Sequence, residues 1–229
     1  MKIIKILVIL VVTCWQITAQ KNIPHLAKNG NATQLMVDNK PFLMIAGEVH
    51  NSSASTIEYM QPLFPKLKKM NLNSVFVTLA WEQFEPKEGI YDYTLVDAII
   101  KNAKENDLKV CLLWFASWKN GESSYTPLWV KKDTKRFFRV KTKEGKAIET
   151  MSPFCEATKI ADAKAFTQLM KHIKEYDTDQ TVILMQPQNE VGMFQDIDYN
   201  STRLIRKRGS KSIDDLFKEK QKTIKIVCQ

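Results

Sequence analysis

The sequence is poor in cysteine and in glycine. Four cysteines occur in 229 residues, and one of them, Cys14, lies in the apolar N-terminal stretch. Cys111, Cys155 and Cys228 remain, an odd and scattered trio with neither a disulfide framework nor metal-ligand spacing. Cys111 sits in an apolar run and reads as a small buried hydrophobe. Seven glycines and eight prolines exclude a collagen-like or low-complexity chain. The first strand-to-helix turns carry no glycine-rich cradle for phosphate, which argues against nucleotide binding.

Basic charge is plentiful, yet it is concentrated at the two ends. The formal net charge is +9. Lys2 and Lys5 supply two of these charges, and residues 201–229 hold nine Lys/Arg against three Asp/Glu. The body between them is nearly neutral and has no basic stripe interleaved with aromatics, so nucleic acid is rejected as a partner.

The first 19 residues read as an export signal: the positive Lys2 and Lys5, the apolar run Ile6 to Val12, then Ile17-Thr18-Ala19 before Gln20. The run is too short for a membrane span of about 20 residues, so contact with a membrane is expected only through the signal. A periplasmic or extracellular location follows as an expectation.

Beyond the signal the hydrophobic pattern alternates between two kinds of segment. Phe42 to Ala46, Asn73 to Leu79, Leu108 to Phe115 and Thr181 to Met185 are short continuous apolar runs, suited to strands buried on both faces. Between them, Ile57 to Met70, Leu95 to Ala103 and Asp162 to Tyr176 have helical spacing, and Phe137 to Ile148 looks like a small hairpin. Strands alternating with helices predict an α/β fold with a parallel sheet, either open and doubly wound or closed as a barrel. Polar and aromatic residues gather just after the runs: Glu48 and His50, Trp81 and Glu82, Trp114 and Trp118, Asn189 and Glu190. Barrels keep their chemistry at the C-terminal ends of their strands, so the pattern favours a (β/α)8 TIM barrel.

Asn189-Glu190 is the first candidate for chemistry. A glutamate at the mouth of a buried strand is placed to act as a general acid, and the neighbouring Asn can hydrogen-bond a sugar hydroxyl. Read alone, the pair fits a helix-start cap with an acidic first-turn residue better. The segment Trp81-Glu82-Gln83-Phe84-Glu85-Pro86-Lys87-Glu88-Gly89-Ile90-Tyr91-Asp92-Tyr93 is more specific. It resembles a segment of clan A glycoside hydrolases, particularly the β-galactosidases of families 35 and 42. Gly47-Glu48-Val49-His50 resembles the first-strand motif of family 35, and Gln186 to Gly192 resembles the strand-four motif that carries the acid/base. Two departures stand out. Gln188 occupies a place where family 35 usually has Glu, and the third strand ends in Leu113-Trp114-Phe115-Ala116-Ser117-Trp118 rather than the usual Cys-x-Glu-Trp.

The resemblance implies a retaining glycoside hydrolase acting on terminal β-galactosides in an oligosaccharide or polysaccharide. Glu190 would be the catalytic acid/base, and Asn189, Glu48, His50, Trp81 and Trp114 would bind substrate. No metal or organic cofactor is implied. The nucleophile would be a Glu at the seventh strand, whereas the fourth strand here ends near residue 185; its identity in this chain is unknown. The expectation is therefore residues 20–200 as the N-terminal half of a barrel truncated after about the fourth strand, with a basic tail over 201–229 and no turnover by this polypeptide alone. A clan A β-mannanase or endoglucanase, or a non-catalytic carbohydrate-binding remnant, are the alternatives.

Overall fold

The computed structural model describes residues 23–142 and 144–190. The expected export signal and basic tail lie outside the described residues.

Three antiparallel strands come first: β1 (His25–Asn29), β2 (Ala32–Val37) and β3 (Lys40–Pro41), paired in that order. Asp38 and Asn39 join β2 to β3 with φ of 51° and 59°. These are the left-handed values that a two-residue hairpin turn requires and that Asp and Asn tolerate. β1 is largely exposed and β2 is buried only at Val37, so hydrophobic periodicity gives no sign of them.

The parallel sheet begins with β4 (Ala46–Glu48), later than the apolar run that predicted it. Leu43 is 79% exposed and Ile45 50%, so Phe42 to Ala46 is not a doubly buried strand. Only Ala46 to Glu48 pair with the next strand, opposite Ser74 to Phe76. The single helix expected over 57–70 is split into α1 (Ile57–Met60) and α2 (Leu63–Lys69). Pro62 lies at the break, where its missing N–H cannot continue the α1 hydrogen-bond ladder. Next come β5 (Ser74–Ala80), the short α3 (Trp81–Phe84), α4 (Thr94–Glu105) and β6 (Lys109–Phe115). An insertion follows, made of α5 (Leu128–Lys132) and the expected hairpin, β7 (Arg139–Lys141) with β8 (Ala147–Met151). The long α6 (Glu156–Tyr176) then leads to β9 (Val182–Gln186).

The sheet order is β4-β5-β6-β9, with every neighbouring pair parallel. A doubly wound sheet reverses its order at a switch point, where its ligand binds. The described strands run in chain order without reversal, the arrangement found in barrels.

Alternation along β6 divides its side chains between two packed layers. Val110, Leu112 and Trp114 join the large core beneath the helices, with Val75, Val77, Leu79, Ile99, Phe166 and Leu169. Cys111, Leu113 and Phe115 form a second cluster on the opposite face, with Phe76, Leu184 and Tyr125 against them. The helices supply the large core through buried residues at three- and four-residue spacing: Val96, Ile99, Ile100 and Ala103 on α4, and Ala165, Phe166, Leu169 and Ile173 on α6. Burial of each large side chain contributes about 1.5–3 kcal/mol, enough to make both helices stable parts of the fold. The α6-to-β9 turn is fixed by Asp177, whose carboxylate accepts from the amides of Thr181 (2.9 Å) and Val182 (2.7 Å).

Candidate active site

The C-terminal ends of the four parallel strands carry the residues singled out in the sequence, but on two different faces. Asn189 and Glu190 follow β9, and Glu190 is exposed with φ of +45°. A left-handed glutamate costs roughly 1–2 kcal/mol and needs support from its surroundings. That support comes from the loop after β6. Lys119 and Glu122 pair in a tight turn (2.9 and 3.0 Å), and the Gly121 amide within it donates to the Glu190 carbonyl at 3.1 Å. The turn is anchored in its own right: Ser123 Oγ donates to the Ser117 carbonyl (2.6 Å), and Thr150 Oγ1 to that of Gly121 (3.0 Å).

Lys119 also reaches the Glu190 side chain. Its ammonium lies 3.6 Å from Glu190 Oε2, bonds Asn120 Oδ1 at 2.5 Å, and stands 4.9 Å from the Phe115 ring centroid. Phe115 packs in turn against Tyr125 (5.2 Å), whose carbonyl accepts from the Glu82 amide at 3.0 Å. Burial raises the Tyr125 hydroxyl above its ordinary range, and the Glu82 charge adds to the effect. Glu82 itself is 3.7 Å from Lys131. Phe115 thus has Glu190 on one flank, reached through Lys119, and Glu82 on the other, reached through Tyr125.

Glu48 belongs to the same face of the sheet, in a row with Phe76 and Cys111. Burial pushes the Cys111 thiol up to about 12, with the Glu48 charge as a further cause. His50 is exposed, and its Nδ1 lies 2.9 Å from Ser52 Oγ and 3.3 Å from the Ser52 amide. The amide can only donate, so Nδ1 is the accepting nitrogen. Two strands stand between Glu48 and Glu190, a separation of roughly 14 Å measured along the sheet at about 4.8 Å per strand.

Trp81 and Trp114 lie on the helix-facing side, both fully buried. Trp81 Nε1 donates to Glu85 Oε2 at 2.7 Å, and its ring meets Trp129 edge-on at 5.9 Å. Glu85, 3% exposed, also accepts from the Gly89 amide at 2.7 Å. Burial raises its carboxyl above the ordinary value, partly offset by these two hydrogen bonds. Trp114 Nε1 donates to Asp162 Oδ1 at 2.9 Å. Neither indole offers a face to solvent; each ties a strand end to the layer of helices and loops behind it.

Asp162 was read from the sequence only as the start of a helix. It is fully buried on α6, and its Oδ2 accepts from Ser117 Oγ (2.7 Å), the Ser117 amide (3.4 Å) and Gln188 Nε2 (3.1 Å). Extending the helical period backwards from Phe166 puts Asp162 in the same buried stripe, and a charge in an apolar stripe was the available signal. Lys119 had no comparable signal, since one lysine in a polar loop looks like any surface lysine. Among the described residues no cluster of His, Cys, Asp and Glu could hold a metal ion.

Comparisons with known proteins place the chain in a family. A β-galactosidase of Xanthomonas manihotis is 26% identical over 171 residues, which cover 72% of this chain and 26% of that protein. The chain therefore spans about a quarter of the length of that relative. Among solved structures, the catalytic domain of β-amylase from Paenibacillus polymyxa matches with a TM-score of 0.49 at 15% identity, covering 61% of this chain and 34% of the other. The exo-β-1,4-mannosidase Op5Man5 from Opitutaceae bacterium strain TAV5 matches with the same TM-score and identity, covering 66% and 25%. The model of glycosyl hydrolases family 35 matches residues 34–228, and the chain belongs to that family.

Proposed function

We propose that the protein acts on terminal β-galactosides with retention of configuration, and that Glu190 is its acid/base. The observation that carries this reading is the position of Asn189-Glu190 at the C-terminal end of the fourth parallel strand in a member of glycosyl hydrolase family 35. The choice of galactoside draws on the Xanthomonas manihotis relative, a β-galactosidase. The four parallel strands are read as the first half of a (β/α)8 barrel, within residues 20–200, exported behind the N-terminal signal.

In this reading the protonated Glu190 carboxyl gives its proton to the glycosidic oxygen as the bond to the anomeric carbon breaks. A second carboxylate, about 5–5.5 Å from Glu190, attacks that carbon and forms the glycosyl ester. Glu190, now ionised, takes a proton from water, which displaces the ester and restores both groups. Asn189 binds the hydroxyl beside the anomeric carbon, while Glu48 and His50 meet the sugar from the first strand. Trp81 and Trp114 shape the pocket from behind by fixing the strand ends. The second carboxylate is assigned to a seventh strand, beyond the four described.

Saturation-transfer NMR with methyl β-galactoside, set against methyl α-mannoside, tests binding. 4-Nitrophenyl β-galactoside tests turnover in the same sample. Selective galactoside binding, weakened in Glu190→Ala, supports the reading. Failure to bind galactoside, or preference for mannoside, overturns it.

A further inference from the structure

Both departures from the family 35 pattern meet at one buried carboxylate. Ser117, at the end of the third-strand motif, donates to Asp162 Oδ2 through its hydroxyl at 2.7 Å. Gln188, just before the Asn-Glu pair, donates to the same oxygen through Nε2 at 3.1 Å. The glutamate usual at position 188 would set a second carboxylate against Asp162, which is fully buried, and two carboxylates so close cannot both ionise cheaply. An amide at 188 and a hydroxyl at 117 are the groups that a buried acceptor requires.

From this geometry we infer that Asp162 is a positioning residue for Asn189 and Glu190, acting through Gln188. This rests on the acid/base reading of Glu190 given above. Asp162 is held on a long helix in the main core, where it also receives the Trp114 indole at 2.9 Å. Gln188 is the last buried side chain before the exposed Glu190, only 6% exposed itself. The hydrogen bond to Asp162 therefore fixes the backbone one residue before Asn189 and two before Glu190. The Gly121 amide holds Glu190 from the other side, on its carbonyl. Asp162 sets where the pair leaves the sheet, and the Gly121 turn sets where it ends.

The test uses Gln188→Glu, which keeps the side-chain shape, and Gln188→Glu combined with Asp162→Asn, which restores one carboxylate facing one amide. The readout is the Glu190 backbone amide resonance in 15N-labelled full chain near neutral pH, with circular dichroism to confirm folding. In Gln188→Glu the resonance is expected to move by more than its line width or to broaden beyond detection, and in the double variant to return towards its original position. A folded Gln188→Glu protein with the Glu190 resonance unmoved overturns the inference, as does a double variant no closer to wild type than the single. A lower melting temperature with that resonance unchanged assigns Asp162 to stability alone and also overturns it. Galactoside binding is measured on the same samples: its absence in wild type counts against the acid/base reading, while the resonance still decides the positioning role.

Discussion

The Gly121 amide and the Glu190 carbonyl are joined by a 3.1 Å hydrogen bond between the loop after the third parallel strand and the end of the fourth. Both residues are left-handed, with φ of +71° and +45°. The bond couples a position suited to glycine with one where glutamate is held against its preference.

Gly121→Ala follows directly. A Cβ at φ of +71° costs roughly 1–2 kcal/mol, and relief by rotating the turn would draw the amide away from Glu190. Urea unfolding is expected to show a loss of about 1 kcal/mol, with weaker galactoside binding in the folded variant. Unchanged stability and binding would mean that the turn does not hold Glu190.

Trp114→Phe keeps most of the apolar volume and removes the indole donor to Asp162. The expected cost is about 1–3 kcal/mol, that of leaving a buried acceptor short of one donor. Chemical denaturation measures it, and galactoside affinity should change far less than stability. The reverse pattern would place the indole against the sugar.

Glu85 gives a pH dependence with a definite sign. Burial raises its carboxyl above the ordinary 4.5, so the native state holds this proton more tightly than the unfolded chain. Its contribution to stability is complete below about 4.5 and is lost as pH rises through the raised native value. Glu88 and Asp92, held below their ordinary values by Arg136 and by Thr94, act oppositely: their contribution is lost as pH falls through the lowered values. The stability of wild type minus that of Glu85→Gln should therefore decline as pH rises above 4.5. A difference that stays flat or rises would contradict this.

Cys111 should resist alkylation. With burial pushing its thiol up to about 12, almost no thiolate exists at pH 8. Iodoacetamide at that pH should leave the Cys111 peptide unlabelled in native protein and label it in urea, as read by mass spectrometry. Rapid native labelling would mean that this face of the sheet opens.

The parts most legible in the sequence were those with strong periodicity. Continuous apolar runs located β5 and β6, which are buried on both faces, and β9, which is only partly buried; three- and four-residue spacing located α4 and most of α6. The same reasoning misplaced β4, because Leu43 and Ile45 are apolar without being buried. It overlooked β1 and β2, whose pairing is mostly backbone hydrogen bonding at the surface. In the site, strand ends were correctly expected to carry polar residues, but alternation gives parity and not direction. Trp114 and Phe115 had to face opposite ways, and only the helix packing decides that Phe115 shares a face with Lys119 and Tyr125. Contacts such as Asp162 with Gln188 join residues 26 positions apart, which local pattern cannot reveal.

The strand order β4-β5-β6-β9 also bears on how the molecule is made. Each parallel strand pairs with the one synthesised just before it, so none must wait for a distant partner to leave the ribosome. Growth at a single edge keeps loop-closure costs low and lets the sheet assemble during translation. The exception is the β6-to-β9 step, where α5, the β7–β8 hairpin and α6 all intervene. That step should be the slow one, and the Asn189-Glu190 segment would take its place only after it.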